Sequence, residues 1–395
     1  MNKIDKIYQT ADDRNKFGFV KLKDVCNINM GQSPDSDSYN DNEDGIPFFQ
    51  GNADFGEKYP TTRKWCNAPT KIAHAEDILI SVRAPIGALN YAKEECCIGR
   101  GLAAITPNQD KVSSGFIYWL LKGKHKELNL QGTGSTFKAI SRKVLEEIKV
   151  PDIELKKQTE LAGSLEKVYS VIQLRKQQLE ELDILIKARF VEMFGDPIQN
   201  EKNWSRRSLE QLCHSIVDCP HSTPNYISED TGFMCIRTSV VKKNKILWDE
   251  IEYIVEDEFN QRIQRKRPEK GDIVYTREGA ILGIAAIIDR NCNVALGQRS
   301  MLLSPDSSVC TSEFICTAMN SDSFLSNALR GISGSASPHI NVGDIKSFEM
   351  IAPPLELQRK FSEFNSQVDK LKVEVQKSLD EMQILFDSLM QEYFG

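Results

Sequence analysis

Hydrophobic and polar positions along this 395-residue chain fall into two regimes, and the pair of regimes is used twice. Up to Pro151, short apolar runs rich in Ile, Val and Phe, such as Asp77 to Val82, are bounded by Gly, Pro, Asn and Asp. That pattern predicts strands and loops with a few helices, and Gly283 to Ile288 continues it in the second half. After Pro151, and again after Pro353-Pro354, the apolar residues step by 3 and 4 over about four heptads. The first seam reads Leu161, Leu165, Val168, Ile172, Arg175, Leu179, Leu182, Ile186, Arg189, Met193. The second reads Phe361, Phe364, Val368, Leu371, Val375, Ser378, Met382, Leu385, Leu389. Alternating 3 and 4 steps predict a coiled-coil seam, and two seams of equal length in one chain predict that they pair with each other. Arg175 and Ser378 interrupt them near the middle, where a polar residue sets register at some cost in stability.

The halves also match residue by residue. Leu22, Val25 and Cys26 return as Leu209, Leu212 and Cys213; Asp77-Ile78-Leu79-Ile80 returns as Asp272-Ile273-Val274-Tyr275. Ile98-Gly99 returns as Leu296-Gly297, Gly134-Ser135 as Gly334-Ser335, and Phe194-Gly195 as Phe394-Gly395. Order is kept throughout, so one architecture is used twice. The expected fold is α+β: two duplicated mixed α/β globular regions, 1–153 and 196–353, each followed by a long helix, 154–195 and 354–395. The helices pair as an antiparallel coiled coil that relates the halves by an approximate two-fold axis. A helix over about 38 residues is ~57 Å long at 1.5 Å per residue, a rigid spacer.

Composition adds limits. At 40% hydrophobic and 27% charged the chain is ordinary globular material. No stretch approaches a membrane-spanning run, and the first sixteen residues, mixed in charge, fit neither a signal nor a transit peptide. Ten cysteines without a C-x-x-C pair suit free thiols in a reducing cytoplasm. The net charge of -6 weighs against a nucleic-acid partner only until it is placed. Residues 306–395 hold 7 basic and 13 acidic residues, while 17–153 and 204–305 are balanced.

Catalytic signatures are missing. There is no phosphate-binding P-loop, nucleophile elbow, dinucleotide glycine spacing, or aromatic-Pro-Pro-aromatic tetrad of the amino-methyltransferases. Pro151-Asp152 and Glu154-Leu155-Lys156 echo a nuclease pattern, but its acidic residues must converge from separate strands, and here they adjoin at a helix entry. Cys213-His214 and Cys219-Pro220-His221 gather four potential zinc ligands, yet Cys-x5-Cys is not a finger spacing and Cys213 sits at a patterned apolar position. The expectation is a core thiol and a loop histidine.

What remains is equipment for binding phosphates and reading base edges. In the first globular region the candidates are Lys58, Arg63, Lys64, Lys71, Arg83, Ser135, Thr136 and Lys138. In the second they are Arg237, Lys242, Lys243, Lys245, Arg262, Arg265, Lys266, Arg267, Arg277, Ser335 and His339. Both Gly-Ser loops recur in place, where glycine admits a phosphate close to backbone N–H groups.

The duplicated order of G-S-[TA]-x-x-x-I, P-x-[IL]-E-L junctions and aromatic-Gly helix ends resembles the specificity subunits of type I DNA restriction-modification systems. That resemblance covers nearly the whole chain. It implies a non-catalytic, cytoplasmic subunit in which each region is a target-recognition domain for one half of a split site in double-stranded DNA. It further implies that the paired helices dock two DNA adenine methyltransferase subunits, joined by restriction and translocase subunits. S-adenosylmethionine, ATP and magnesium would belong to those partners, with none in this chain. Two other classes stay open on the residues alone: a coiled-coil scaffold for protein partners, and a stand-alone methyltransferase or nuclease.

Overall fold

The structure, a computed structural model, describes residues 18–133, 138–330 and 338–395. It divides into two compact units: Met1–Lys176 with Lys377–Gly395, and Gln177–Gln376. Each contains part of both long helices, Leu155–Phe194 and Leu355–Phe394.

In the first unit an antiparallel pair, Gly18–Lys21 with Lys149–Asp152, closes the globular part where the chain enters and leaves it. A four-stranded antiparallel sheet follows in the order Cys26–Met30, Leu102–Pro107, Ile78–Ser81, Leu89–Tyr91. Ile78, Leu79 and Ile80 are all buried, because this strand has core on both faces. Ile78 and Ile80 pack with the helical side, including Phe116 and Trp119 of helix Ser114–Gly123, while Leu79 faces Phe49, Ile98 and Ala104. The buried Asp77 starts the strand: its carboxylate accepts the His74 backbone N–H at 2.8 Å. A second sheet runs Tyr39–Asn40, Trp65–Cys66, Ile46–Phe49, Cys96–Ile98, Ile72–Ala73, with Phe48 and Phe49 parallel to Cys97 and Ile98.

The second unit rebuilds this frame. Arg206–Ser208 pairs with Glu349–Ile351, and the four-stranded sheet runs Cys213–Asp218, Ser300–Pro305, Ile273–Thr276, Ala285–Ile287. Asp272 repeats the turn of Asp77, accepting Glu269 N–H at 2.9 Å. The second sheet departs from its counterpart. It keeps the parallel pair, Met234–Ile236 with Val294–Leu296, but has three strands, and a hairpin, Val241–Lys242 with Lys245–Ile246, stands apart from it. The frame is duplicated and the second sheet has diverged.

Each long helix is tied to its globular part by a buried glutamine in its first turn. Gln158 accepts Ser113 N–H at 2.9 Å and donates to the Ile153 carbonyl at 2.7 Å. Gln358 accepts Thr311 N–H at 3.0 Å and donates to the Pro353 carbonyl at 2.8 Å. Both amides satisfy backbone groups at the helix entry that would otherwise be buried without partners.

The helices pair antiparallel, as the equal seams predict. In the first unit Tyr169 of one helix meets Phe386 of the other, ring centroids 5.9 Å apart. In the second, Phe190 meets Phe361 at 5.5 Å, and Lys372 Nζ bridges to Asp183 at 2.6 Å. Every position of the central seam is buried or half-buried, from Leu161, Leu165, Val168 and Ile172 through Leu179 and Leu182 to Met193. The terminal seam needs correction. Phe361, Val368 and Val375 are buried and Phe364 and Met382 half-buried, but Leu371 is 54% exposed and Leu385 43% exposed. The inward row then runs 368, 372, 375, 379, 382, 386, so Lys372, Leu379 and Phe386 take positions read one residue early, while Phe364 packs on the second core and meets Arg189 at 5.7 Å. At 371 and 372 the more apolar residue is not the inward one: Lys372 lies inward because its stem covers apolar surface while its ammonium reaches Asp183.

The helix ends also pack. Phe194 lies 4.9 Å from Phe314 and Phe394 lies 5.1 Å from Phe116, and Gly195 turns left-handed at φ 76° to end the central helix.

The corrected register predicts that Phe386→Ala lowers unfolding stability by about 3 kcal/mol, whereas Leu385→Ala stays within about 0.5 kcal/mol. Chemical or thermal denaturation of the two variants checks it, and equal losses would restore the sequence register.

Candidate nucleic-acid interface

In both units the loops that leave the four-stranded sheet at one end are stitched together by backbone hydrogen bonds. In the first unit Val82 N–H donates to the Gly101 carbonyl at 2.9 Å, Ile140 N–H to Val82 at 2.9 Å, and Ala84 N–H to Lys138 at 3.1 Å. These bonds set Arg83 and Lys138 beside each other, both exposed. Thr133 and Ala139 exchange two hydrogen bonds of 3.0 Å. Ser135 and Thr136, and Ser335 in the second half, lie outside the described residues.

The other first-unit candidates are exposed as well. Lys58 stands over Tyr59 at 5.4 Å and Lys64 over Tyr39 at 5.4 Å, while Arg63 and Lys71 face solvent. Among the described residues none of Lys58, Arg63, Lys64, Lys71, Arg83 and Lys138 is in an ion pair. Cations without acidic partners keep their full charge for an anionic ligand.

The second unit treats its cations differently. Arg262, in the dense basic run, is 7% exposed: its guanidinium donates to Glu258 at 3.2 Å, the Ser222 carbonyl at 2.8 Å and the Leu296 carbonyl at 3.3 Å. Lys266 lies 3.6 Å from Asp272 and 3.8 Å from Glu269. Arg277 is 6% exposed and grips Asp218 with two bonds, 2.8 and 3.2 Å, and His221 also meets Asp218, at 3.1 Å. Arg265 donates to the Asp218 carbonyl at 3.1 Å, and Arg267 to Asn293 at 2.6 Å. The run at 262–270 is therefore not one solvent face. The helix Glu256–Arg262 ends inside it, turning Arg262 into the core that holds the 219–223 loop. Arg237 pairs with Glu252 at 2.9 Å and Lys243 with Asp322 at 2.9 Å. Lys242 and Lys245 stay exposed and outside any ion pair among the described residues, on a hairpin whose Asn244 has φ 61°. The backbones of His339 and Glu278 form an antiparallel β-bridge, and Glu278 stands where the first unit has Arg83.

The cysteine and histidine cluster is dispersed. Cys213 and Cys219 belong to two different cores, and burial pushes the Cys213 thiol up to about 12 and the Cys219 thiol up as well. Ser300 N–H donates to Cys219 Sγ at 3.3 Å, His214 is exposed, and His221 is with Asp218.

Arg100, exposed, and Gln298, half-buried, follow the matched Gly99 and Gly297 and are not among the sequence candidates, because the repeat is defined by positions that agree.

Two copies of one frame, each carrying a different small sheet and its own exposed polar loops, define a duplicated binding protein. The family described as "Type I restriction modification DNA specificity domain" matches residues 15–183 and again 201–381. The chain belongs to this family of specificity subunits, which are non-catalytic. It is 43% identical over 156 residues to the putative type I restriction enzyme MjaX specificity subunit of Methanocaldococcus jannaschii. That alignment covers 40% of this chain and 37% of the relative, so it spans little more than a third of the relative's length. It is 20% identical over 410 residues to the type I restriction enzyme EcoBI specificity subunit of Escherichia coli, covering 95% of this chain and 85% of that one. Among solved structures, a type I restriction-modification S subunit from M. genitalium covers 96% of this chain and 97% of its own, with a TM-score of 0.62. At 14% identity that likeness is one of fold. Among the described residues no helix is long and apolar enough to cross a membrane.

The contrast between the units predicts their shares of phosphate binding. Replacing Arg83 and Lys138 by Ala should flatten the slope of log affinity against log salt by up to about 2, at roughly 0.9 per phosphate contact. Arg262→Ala should leave the slope alone and lower thermal stability instead, since it strips partners from buried carbonyls. Salt titration of binding alongside thermal unfolding separates the two, and a slope that falls with Arg262 would reverse the assignment.

Proposed function

We propose that the chain reads a split, asymmetric site in double-stranded DNA as the specificity subunit of a type I restriction-modification complex. Regions 1–153 and 196–353 act as the two target-recognition domains, and the helical regions 154–195 and 354–395 act as spacer and as docks for two DNA adenine methyltransferase subunits. Restriction and translocase subunits complete the complex, and S-adenosylmethionine, ATP and magnesium serve those partners. The carrying observation is the repeated frame with unlike second sheets, five strands in one unit and three in the other. A common frame gives both domains the same way of meeting a duplex, and unlike loops make them select different bases.

Two such readers on a spacer address half-sites on one duplex about one helical turn or somewhat more apart, ~34–36 Å per turn. Removing one heptad from both helices shortens the spacer by about 10 Å, close to three base pairs. The expected outcome, read from the positions of modified adenines, is unchanged half-sites separated by about three fewer base pairs. Altered half-sites at the original spacing would show that the helices do not measure the site.

A further inference from the structure

Arg100 and Gln298 hold one place in the two copies. Each follows a glycine where the chain crosses from the second sheet, ending at Ile98 or Leu296, into the four-stranded sheet, starting at Leu102 or Ser300. The backbone at this crossing is fixed from several sides. Gly99 N–H donates to the Phe49 carbonyl at 2.8 Å, and Gln32 N–H to Ile98 at 3.0 Å. Arg100's own N–H reaches Ser33 Oγ at 3.4 Å. In the second unit Gly297 N–H donates to Ile236 at 2.8 Å, and Arg277 N–H to the Arg299 carbonyl at 3.0 Å.

Three glycines around the crossings leave no room for a side chain at their own positions. A Cβ on Gly101 would sit 2.3 Å from the Gln50 carbonyl oxygen, and one on Gly31 2.2 Å from that of Gly99. On Gly297 it would sit 2.8 Å from the Tyr226 hydroxyl and 3.0 Å from the Ile236 carbonyl oxygen. The first crossing thus presents Arg100 alone on a fixed backbone, and the second presents Gln298 beside Arg299, which is exposed at φ 72° and lies 3.9 Å from Glu278. Among the described residues the Arg100 guanidinium has no hydrogen bond or ion pair, and it is exposed. Gln298 accepts from Thr223 Oγ1 at 3.0 Å, and its amide nitrogen has no partner among the described residues.

What Arg and Gln share is two-point hydrogen bonding, not charge. A neutral Gln offers a phosphate no charge to pair with. A base edge asks instead for paired donors and acceptors: Arg to O6 and N7 of guanine, Gln to N6 and N7 of adenine. Arg83 and Lys138, exposed at the same end of the first unit's sheet, suit the phosphates that position the reader. We propose that Arg100 and Gln298 are specificity-determining side chains, Arg100 reading a guanine in one half-site and Gln298 an adenine in the other. This rests on the DNA-reading function proposed above.

The test uses the full chain assembled with its methyltransferase partner, with modified adenines mapped genome-wide for the wild type, Arg100→Gln and Gln298→Arg. Arg100→Gln should change the preference at one guanine position of one half-site, cutting discrimination there roughly tenfold to a hundredfold. The other half-site and the salt slope should be unchanged. Gln298→Arg should alter one adenine position in the opposite half-site only. An unchanged motif with uniformly weaker modification, and a salt slope lower by about 1 in Arg100→Gln, would make Arg100 a phosphate contact and overturn the inference. A wild-type motif untouched by either variant would overturn it too while leaving the proposed function standing. A wild type that modifies no defined motif would instead overturn the proposed function.

Discussion

A forty-residue helix with a one-sided apolar seam has no stable place in water, and the burial of the two seams against each other is the interaction on which the rest depends. Each compact unit is completed by a segment of helix from the far half of the chain. Phe386 and Phe394 finish the core around Phe116 and Trp119, and Phe190 and Phe194 finish the one around Phe314 and Phe361. Neither globular part owns a complete core without the exchange. The buried glutamines, Gln158 and Gln358, then fix how each frame leaves the sheet and enters its helix.

The duplicated frame was legible in the sequence because its determinants are local. Asp77 and Asp272 open a turn, the following apolar runs are buried on both faces, and Leu22 and Leu209 start short helices at matching points. The terminal helix's register was not legible, since hydrophobicity alone ranks Leu371 above Lys372 and gives no reason to prefer Phe386 to Leu385. Only the facing helix, with Asp183 in reach of Lys372, decides it. The candidate site was legible in kind but not in residue. Basic density along the chain marked the 262–270 run, yet charge density carries no information about direction. Arg262, Lys266 and Arg277 face acids or carbonyls brought from 258, 272, 218 and 222, contacts that exist only after folding. Arg100 and Gln298 escaped for the opposite reason: specificity sits where the copies disagree, and a repeat is found by agreement.

The two units also differ in how they spend charge. In the first, the candidate cations are exposed and unopposed. In the second, most are tied into ion pairs, with Arg277 and Asp218 joined where their burial needs both. A buried pair of this kind shapes a loop and contributes little to long-range attraction, whereas exposed cations attract a polyanion and are screened by salt. Near-neutral readers of this sort are expected to bind DNA modestly alone and to depend on partner subunits for affinity, leaving base edges to carry selectivity.

Two unlike readers on one frame would select one split site. The sharpest test is to map modified adenines in DNA from cells carrying this chain with the methyltransferase partner proposed above. The expected result is a single motif of two dissimilar half-sites divided by a spacer of unspecified bases of fixed length. A continuous or palindromic motif, or modification without sequence preference, would contradict it.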